Sequence, residues 1–244
     1  MTLVWRPGFQ QWDPSLISTA LWLDAADSST VFSDLGVTPA TDGQAVSQWN
    51  DKSGNGRHAT QATEANRPIF ETNTLNGKSV LDYGSTINNK FLSGSFSGSL
   101  GRWYGVADWF GGATFNDYNA LVVFNQATSA DVVQGIPGST SLFNAETLFL
   151  NGASTASANV LGTMQNPFIF VSNSAPNASR TLYRVGSDAN PNRGWRGYIA
   201  EVIFTPAVLD AVNRQKMEGY LAHKWGLTAN LPADHPYKTN APAP

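Results

Sequence analysis

The sequence predicts an all-β protein, built as an antiparallel β-sandwich with one C-terminal α-helix and an extended arm at each end. Gly, Ser, Thr, Asn and Ala are abundant and are joined by 8 tryptophans in 244 residues, a mixture that suits short strands and tight turns. About nine short apolar segments are bounded by such turn residues. Only one segment has helical periodicity, and strands without intervening helices favour an antiparallel sandwich.

The predicted strands are spaced roughly 10–20 residues apart with turn residues between them. In the first one Leu21 and Leu23 alternate with Trp22, so both faces are apolar and the strand is expected inside a sheet. The predicted strands are residues 20–25, 45–49, 79–83, 102–110, 120–125, 147–152, 167–173, 180–186 and 197–205.

The predicted helix follows the last strand. Thr205 is a suitable N-cap, Pro206 suits the first turn, and Gly226 suits the position just after the helix end. An apolar stripe at helical spacing predicts the buried face. The stripe consists of Leu209, Val212, Met217, Tyr220 and Leu221.

Composition excludes several classes of protein. The chain has no cysteine, so a disulfide framework, a thiolate metal site and a cysteine nucleophile are excluded. The net charge is -3 without a basic patch, which argues against nucleic acid as a partner. The N-terminus does not read as a secretory signal, and no run approaches the ~20 apolar residues of a membrane span. We therefore expect a soluble chain that is made in the cytosol and has no membrane partner.

The chain divides into one domain and two terminal segments. We expect an N-terminal arm at residues 1–14, a sandwich domain at residues 15–230 and a proline-rich tail at residues 231–244 that runs over the surface. Trp5, Phe9 and Trp12 in the arm need something to pack on. A neighbouring subunit is the expected partner of these three side chains.

The stretch WNDKSGNGRHAT, residues 49–60, combines glycines with charges and admits three interpretations. It lacks the spacing and the lysine of a phosphate-binding loop, and no helix pattern follows it. As a calcium loop it offers Asp51 and Asn55, with Asp24 and Asp27, which come just after the first predicted core strand, as the expected partners. As a turn it needs only Asn and Gly at positive φ and short side chains that bind the backbone. The turn is the favoured interpretation, and bound Ca²⁺ is the minority one.

Catalytic signatures are weak. A sandwich hydrolase that acts on glycans needs two carboxylates about 5–9 Å apart, yet no Glu-x-Asp or Glu-x-Glu pair occurs among the five glutamates. Two separate strands could still supply such a pair. We interpret His58, His223 and His235 as solvated or capping residues, since no catalytic motif recruits them. The sequence therefore predicts a protein that is not an enzyme.

Aromatic side chains carry the remaining functional signal. Exposed Trp and Tyr faces stack on sugar rings, and Trp103, Tyr104 and Trp109 crowd one predicted strand. Trp195 could belong to the same ligand-binding set. Core packing is the competing interpretation for all four residues. Trp22, Trp49 and Trp225 are predicted to be core by their periodicity.

Two blocks of the chain resemble a known family. The block LWLDAADSSTVF with VSQWNDKSGNGRHATQATEANRPIF, and the block RGWRGYIAEVIFTPAVLDAVNRQKMEGYLAHKWGL followed by LPADHPYK, resemble the concanavalin A-like, laminin-G-type jelly rolls. The middle of the chain, roughly residues 88–178, hardly contributes to this resemblance. Such jelly rolls occur in lectin-like modules and in tailed bacteriophage virion proteins. Members of the family often hold Ca²⁺ near the rim of the sandwich.

The resemblance implies a virion protein that is not an enzyme, in a capsid decoration, a tail or a fibre. Its expected partners are other virion subunits, further copies of itself and a bacterial surface glycan. The alternatives are a carbohydrate-binding receptor-recognition module and a polysaccharide hydrolase.

Overall fold

The chain forms two antiparallel β-sheets packed face to face, which confirms the all-β sandwich. The computed structural model describes residues 11–98, 101–124, 132–143, 148–173, 180–188, 190 and 192–244. Trp5 and Phe9 of the predicted arm lie outside these residues.

Seventeen strands and two α-helices are formed by the described residues. The strands are β1 (Leu21–Asp24), β2 (Val31–Phe32), β3 (Gln44–Ala45), β4 (Gln48–Trp49), β5 (Ala59–Thr60), β6 (Ile69–Leu75), β7 (Lys78–Asp82), β8 (Leu92–Ser95), β9 (Arg102–Ala107), β10 (Ala120–Phe124), β11 (Val132–Gly135), β12 (Leu142–Phe143), β13 (Leu148–Leu150), β14 (Ala153–Thr155), β15 (Phe168–Asn173), β16 (Leu182–Val185) and β17 (Tyr198–Thr205). The helices are α1 (Leu161–Met164) and α2 (Ala211–Trp225). Short 3-10 turns lie at Pro14–Leu16, Ser28–Thr30, Glu64–Asn66 and Thr228–Asn230.

The larger sheet has the order β14-β13-β15-β9-β17-β7-β6-β3. Strand β9 pairs along one edge of β17, whereas β7 pairs with the start of β17 and β1 with residues 201–204. The smaller sheet has the order β12-β11-β10-β16-β8-β5-β4-β2. Strand β17 is therefore the centre of the larger sheet, and the first and last strands of the described chain meet there.

The protein has three layers, because α2 covers the outer face of the larger sheet. One apolar cluster lies between the sheets, and a second lies between the larger sheet and α2. Alternation along strands distributes side chains between them: Leu21 and Leu23 point to the first cluster and Trp22 to the second. Each buried side chain of this size contributes about 1.5–3 kcal/mol by leaving water, so the second cluster holds the helix firmly.

All nine predicted strands are confirmed within the described residues, with ends that differ from the prediction by at most three residues; the segment 45–49 is split between β3 and β4. Several further strands were missed, including β6 and β8. Asn73 adopts a φ of 53° within β6, and the pairing of β6 with β7 is interrupted between Glu71 and Leu75. Such irregular pairing hides the period-two pattern on which strand prediction depends.

The predicted start of the helix is wrong, and its predicted end is confirmed. Thr205 is the last residue of β17, while Asp210 caps α2 by accepting a 2.8 Å hydrogen bond from the backbone N–H of Asn213. Gly226 adopts a φ of 70° just after the helix. Of the predicted stripe, Met217 and Leu221 are buried.

The assignment of Val212 to the buried face is wrong, since its side chain is 59% exposed. The buried face of α2 includes four residues outside the predicted stripe. These are Glu218, Gly219, Ala222 and Trp225.

The C-terminal segment packs on α2 instead of only running over the surface. It has no strand or α-helix after Asn230 in the described chain, as predicted. However, His235 is buried, and Gly219 leaves room for the Tyr237 side chain against the helix. The backbone N–H of Trp12 donates a hydrogen bond to the carbonyl of Pro242, which brings the two ends of the described chain together.

The interpretation of Trp12 as an assembly residue is also wrong. Its side chain is 3% exposed and belongs to the cluster under α2. Its indole ring meets the Tyr220 ring edge-on at 6.2 Å. Trp12 packs on its own subunit, because the α2 layer supplies the apolar surface that the sequence left unidentified.

Candidate functional site

A buried carboxylate, Glu201, lies where the two ends of the fold meet. Its side chain is 0% exposed on β17. Oε1 accepts hydrogen bonds from the Trp22 indole N–H at 2.7 Å and from the Tyr220 hydroxyl at 2.9 Å. Oε2 accepts one from the Trp225 indole N–H at 2.6 Å and lies 2.8 Å from Lys224 Nζ. All the donors come from β1 and α2, so Glu201 joins both elements to the sheet.

Burial raises the pKa of Glu201, and the positive charge of Lys224 works in the opposite direction. Asp24 lies beside this pair and raises the pKa of Glu201 further. A buried charge is costly unless it is paired and hydrogen-bonded, and Glu201 has both kinds of partner. The carboxylate is therefore a structural link.

A line of alternating charges leads from Glu201 to the surface. Asp24 Oδ1 lies 2.7 Å from Lys224 Nζ, and Asp24 Oδ2 lies 2.8 Å from Lys52 Nζ. Lys52 also contacts Asp27 at 2.9 Å. Burial alone would lower the pKa of Lys52, but the hydrogen bonds and charges of Asp24 and Asp27 outweigh it and raise that pKa.

A cleft of about 750 Å³ lies above this line of charges. We call it the helix cleft, because α2 and the two ends of the described chain line it. Its aromatic wall consists of Trp12, Trp22 and Tyr220. The Trp22 and Tyr220 rings are perpendicular at 6.4 Å, and Lys52 Nζ lies 4.6 Å from the centre of the Trp22 ring. These contacts hold the Trp22 and Tyr220 rings in place, and Trp12 and Trp22 are only 3% and 8% exposed.

The rest of the helix cleft is polar. Asp13, Asp24, Lys52, Lys78 and Lys224 contribute charged groups to its lining. Thr239 and Asn240 of the C-terminal segment contribute hydroxyl and amide groups. A concave surface of this size with several polar groups has the dimensions of a small-molecule site.

The segment of residues 49–60 is a turn, as favoured from the sequence. It joins β4 to β5, with Gly54 at φ 84° and Gly56 at φ 67°. Asp51 organises it by accepting hydrogen bonds from the backbone N–H groups of Trp22 (3.0 Å), Ser53 (2.9 Å) and Arg57 (3.0 Å). The turn is thereby attached to β1.

The four predicted calcium ligands have other partners. Asp24 and Asp27 hold Lys52 between them, so an ammonium group occupies the space between these carboxylates. The Asn55 amide donates to the carbonyl of Thr19 at 3.0 Å. Within the described ranges no group of three or more His, Cys, Asp or Glu residues is arranged to hold a metal ion. Calcium binding stays a prediction from the sequence.

The ligand-binding role predicted for four aromatic residues is wrong. Trp103, Tyr104 and Trp195 are 0% exposed, and Trp109 is 1% exposed. Trp103 lies between the sheets and Tyr104 under α2, because neighbouring strand residues point to opposite faces. Trp109 and Trp195 pack against each other with ring centroids 4.9 Å apart. A ring buried on both faces cannot stack on a sugar.

A second polar surface lies beside β17, where it pairs with β7. The rings of Tyr198 and Phe110 meet at right angles with centroids 4.5 Å apart, and Phe110 is 38% exposed. Burial raises the pKa of Tyr198, and the charges of Asp82, Glu71 and Asp108 raise it further. Burial also raises the pKa of Asp108 to about 6, against the effect of a hydrogen bond from the Trp109 N–H. Strands β6 and β7 and the residue that follows β9 thus bring three carboxylates near one tyrosine.

Two histidines lie where the C-terminal segment packs on α2. His235 is buried and its Nε2 lies 3.2 Å from Glu218 Oε2, so the interpretation as a solvated residue is wrong. His223 Nε2 lies 2.8 Å from the carbonyl of Tyr237. Glu218 also pairs with Arg214 at 2.5 Å. Both histidines attach the C-terminal segment to α2.

No family model, no curated protein and no solved structure matches the chain. None of the helices in the described part of the chain is long and apolar enough to cross a membrane. The sequence reasoning missed Glu201 and Lys224 as the centre of the site. A carboxylate inside the otherwise apolar strand GYIAEVIFT was the signal that could have pointed to Glu201.

Proposed function

We propose that the chain is a non-enzymatic bacteriophage virion protein, a jelly roll of the concanavalin A-like, laminin-G type that works by adhesion. One observation carries the proposal. The two sequence blocks that resemble this family meet at Glu201, which binds Trp22 of the first block and Trp225 of the second. The two blocks therefore form one continuous unit at the centre of the larger sheet, which supports treating them as parts of one domain.

The pairing of the buried carboxylates with lysines at the centre of the larger sheet supports an adhesive role. Asp24 and Glu201 are buried carboxylates, and the ammonium groups of Lys52 and Lys224 neutralise them. Catalytic carboxylates have to reach a substrate, whereas these groups hold β1 and α2 on the sheet. Such an arrangement favours a rigid body with binding surfaces.

The expected partners are other virion subunits and further copies of the chain. Because Trp12 packs on its own subunit, an assembly arm can include only residues 1–10 of the predicted segment 1–14. A truncation that removes Trp12 would disturb the second apolar cluster. A loss of assembly in that variant would then not be separable from a loss of stability.

The test compares the full chain with variants that lack residues 1–10 or residues 1–14. Light scattering gives the oligomeric mass, and sedimentation with purified particles gives particle association. We expect loss of both properties without residues 1–10, with the melting temperature unchanged. Loss of residues 1–14 should also lower the melting temperature. Absence of the full chain from purified particles would reject the virion proposal.

The second polar surface favours one further candidate function, a polysaccharide hydrolase. Burial raises the pKa of Asp108 to about 6, a value that suits a general acid, while its side chain stays 8% exposed. Release of reducing sugar from bacterial exopolysaccharide, abolished by Asp108→Asn and unaffected by Asp234→Asn, would favour this function over adhesion. Lack of sugar release from a broad panel would exclude it.

A further inference from the structure

We propose that Lys224 and Asp24 condense within the folded chain to form an amide bond, and that Glu201 carries a proton in this step. The bond is a covalent cross-link between the last residue of β1 and the last turn of α2. The inference goes beyond the adhesive function and does not depend on it. Because the reaction takes place once in each chain, it does not make the protein an enzyme that acts on a separate substrate.

The three reacting groups are in contact in the structure. Lys224 Nζ lies 2.7 Å from Asp24 Oδ1 and 2.8 Å from Glu201 Oε2. The Asp24 and Glu201 side chains are 5% and 0% exposed, and that of Lys224 is 16% exposed. An amine held against a carboxyl group in a good geometry behaves as if present at an effective concentration of about 10⁵–10⁸ M. The fold thus brings a nucleophile, an electrophile and a proton carrier to one buried point.

Burial favours the loss of charge that the reaction brings about. An ion pair taken out of water carries a desolvation cost that a neutral amide does not carry. Burial also raises the pKa of Glu201, against the effect of the positive charge of Lys224. A proton taken from the ammonium group is therefore held more readily on Glu201 than on an exposed glutamate.

The condensation conserves atoms and charge. One ammonium group and one carboxylate give one amide and one water, and no oxidant or reductant is consumed. Glu201 Oε2 takes a proton from Lys224 Nζ, and the freed electron pair of the nitrogen forms the bond to Cγ of Asp24. The electron pair of the C=O double bond moves to Oδ2 as this bond forms.

The second half of the reaction releases water. The electron pair on Oδ2 of Asp24 forms the double bond again, while the bond between Cγ and Oδ1 breaks and its electrons leave with Oδ1. This oxygen departs with two protons that both come from Lys224 Nζ, one of them by way of Glu201. The third proton of the ammonium group stays on the amide nitrogen, and Glu201 ends in the state in which it began.

The surroundings of Asp24 suit this course. Lys52 Nζ lies 2.8 Å from Oδ2 and is also held by Asp27, so a positive charge faces the oxygen that becomes negative. The helix cleft is lined by Asp24 and Lys224, which gives the departing water a path to solvent. The charge and the exit path thus lie at the bond that has to change.

Glu201 stays hydrogen-bonded after the reaction. Its Oε1 keeps the bonds from the Trp22 indole and the Tyr220 hydroxyl, and its Oε2 keeps the bond from the Trp225 indole. The new amide N–H takes the place of the ammonium group beside Oε2. Loss of the ammonium group therefore leaves no buried carboxylate without donors.

A second lysine–aspartate pair provides an internal comparison. Lys52 contacts Asp27 at 2.9 Å, but their side chains are 24% and 35% exposed. Water hydrates these two charged groups and keeps them in their unreactive charged forms. We expect no cross-link between Lys52 and Asp27, so the position of the bond distinguishes contact alone from contact in a buried site.

The test measures the intact mass of the purified full chain under denaturing conditions. Condensation lowers the mass by one water molecule. A lysine in an amide bond is not cut by a lysine-specific protease, so the digest should contain residues 1–52 joined to residues 217–238. Tandem mass spectrometry then assigns the joined residues. This peptide map uses only the unmodified chain and decides the question even where a variant does not fold.

Three variants extend the test. Lys224→Arg keeps a positive charge beside both carboxylates, but its guanidinium group stays protonated and cannot attack. Glu201→Gln keeps an acceptor for the two indoles and removes the proton carrier. Lys216→Arg on the same helix is the matched control, since Lys216 has no part in the site. Melting temperatures verify that each variant folds.

We expect the unmodified chain and Lys216→Arg to lack one water molecule. Lys224→Arg should keep the full mass of its sequence, because it has no nucleophile. Glu201→Gln should keep its full mass as well, since a positioned acid–base group accelerates such a step by about a hundredfold or more. The joined peptides should connect Asp24 to Lys224.

The proposal is overturned if the folded, unmodified chain has the full mass of its sequence, or if the folded Lys224→Arg variant still loses water. A water loss that maps to Asp42 and Gly43 would also overturn it, because an Asp-Gly pair can lose water by forming a succinimide. Complete water loss in Glu201→Gln would reject the role of Glu201. None of these results involves particle association, so the virion function is tested separately.

Discussion

The indole N–H of Trp225 donates a 2.6 Å hydrogen bond to Oε2 of Glu201, which attaches the end of α2 to the central strand of the larger sheet. The same oxygen lies 2.8 Å from Lys224 Nζ, which comes from the preceding residue of the helix. The helix end therefore brings a neutral donor and a positive charge to one buried carboxylate. The stability of the outer layer should depend on both.

Lys224→Met should lower the free energy of unfolding by about 3 kcal/mol, because breaking a buried ion pair leaves its partner uncompensated. Here the substitution removes the ammonium group that pairs with two carboxylates, those of Asp24 and Glu201. Urea unfolding followed by tryptophan fluorescence measures the change. Lys216→Met on the same helix is the control and should cost less than about 0.5 kcal/mol. Equal effects of the two substitutions would contradict a special role for Lys224.

Asp51→Ala should lower the free energy of unfolding by at least about 2 kcal/mol, because three backbone N–H groups lose their acceptor. The loss should be the same with a calcium chelator and with added Ca²⁺ if Asp51 acts by organising the turn. Thermal melts in the two buffers distinguish this role from metal binding. A loss seen only in calcium would instead support the calcium prediction for the loop.

His235→Ala should loosen the C-terminal segment and lower the free energy of unfolding by about 2 kcal/mol. The substitution removes a partner of the buried Glu218 carboxylate and leaves space under Tyr237. Limited proteolysis should then cut after Asn230 at lower protease concentration. Asp234→Ala, one residue away and exposed, is the control. Unchanged protection in the His235 variant would mean that other contacts anchor the segment.

Asp108→Asn should make the protein less sensitive to pH between about 4 and 6. The folded chain keeps the Asp108 proton up to about pH 6, whereas the unfolded chain releases it near the ordinary value of 3.8. The unfolded state thus binds fewer protons in this window, so Asp108 makes stability fall as pH rises through it.

The amide variant lacks this titration and should become progressively more stable than the unmodified chain as pH rises. Melting temperatures at several pH values measure the difference, which should level off above about pH 6. Asp234→Asn should show no such trend. A constant difference between Asp108→Asn and the unmodified chain at every pH would contradict the raised pKa.

Local features of the fold were predictable because they depend on neighbours in the sequence. Alternation around Trp22 identified β1, and the glycines at 54 and 56 identified a turn. Gly226 marked the end of α2 through the left-handed conformation that it adopts. The start of α2 was misplaced, because Thr205 and Asp210 are both good caps and only pairing with β9 commits Thr205 to a strand.

The site was hidden because its contacts join distant parts of the chain. Trp22 and Glu201 are 179 positions apart, and no local pattern predicts that they share a hydrogen bond. The same limit explains the four buried aromatic residues that were expected to bind a ligand. Their residue types suit sugar stacking, but burial depends on which layer covers each face.

The sequence by itself determined that the chain forms short antiparallel strands with one long C-terminal helix, because alternation, turns and caps act over a few residues. Only the tertiary structure decided that the helix covers the outer face of the larger sheet and that Trp12 and His235 are buried beside it. It also decided that a cleft remains between the helix and the two ends of the described chain. The physical reason is that burial and ion pairing follow from the arrangement of whole layers.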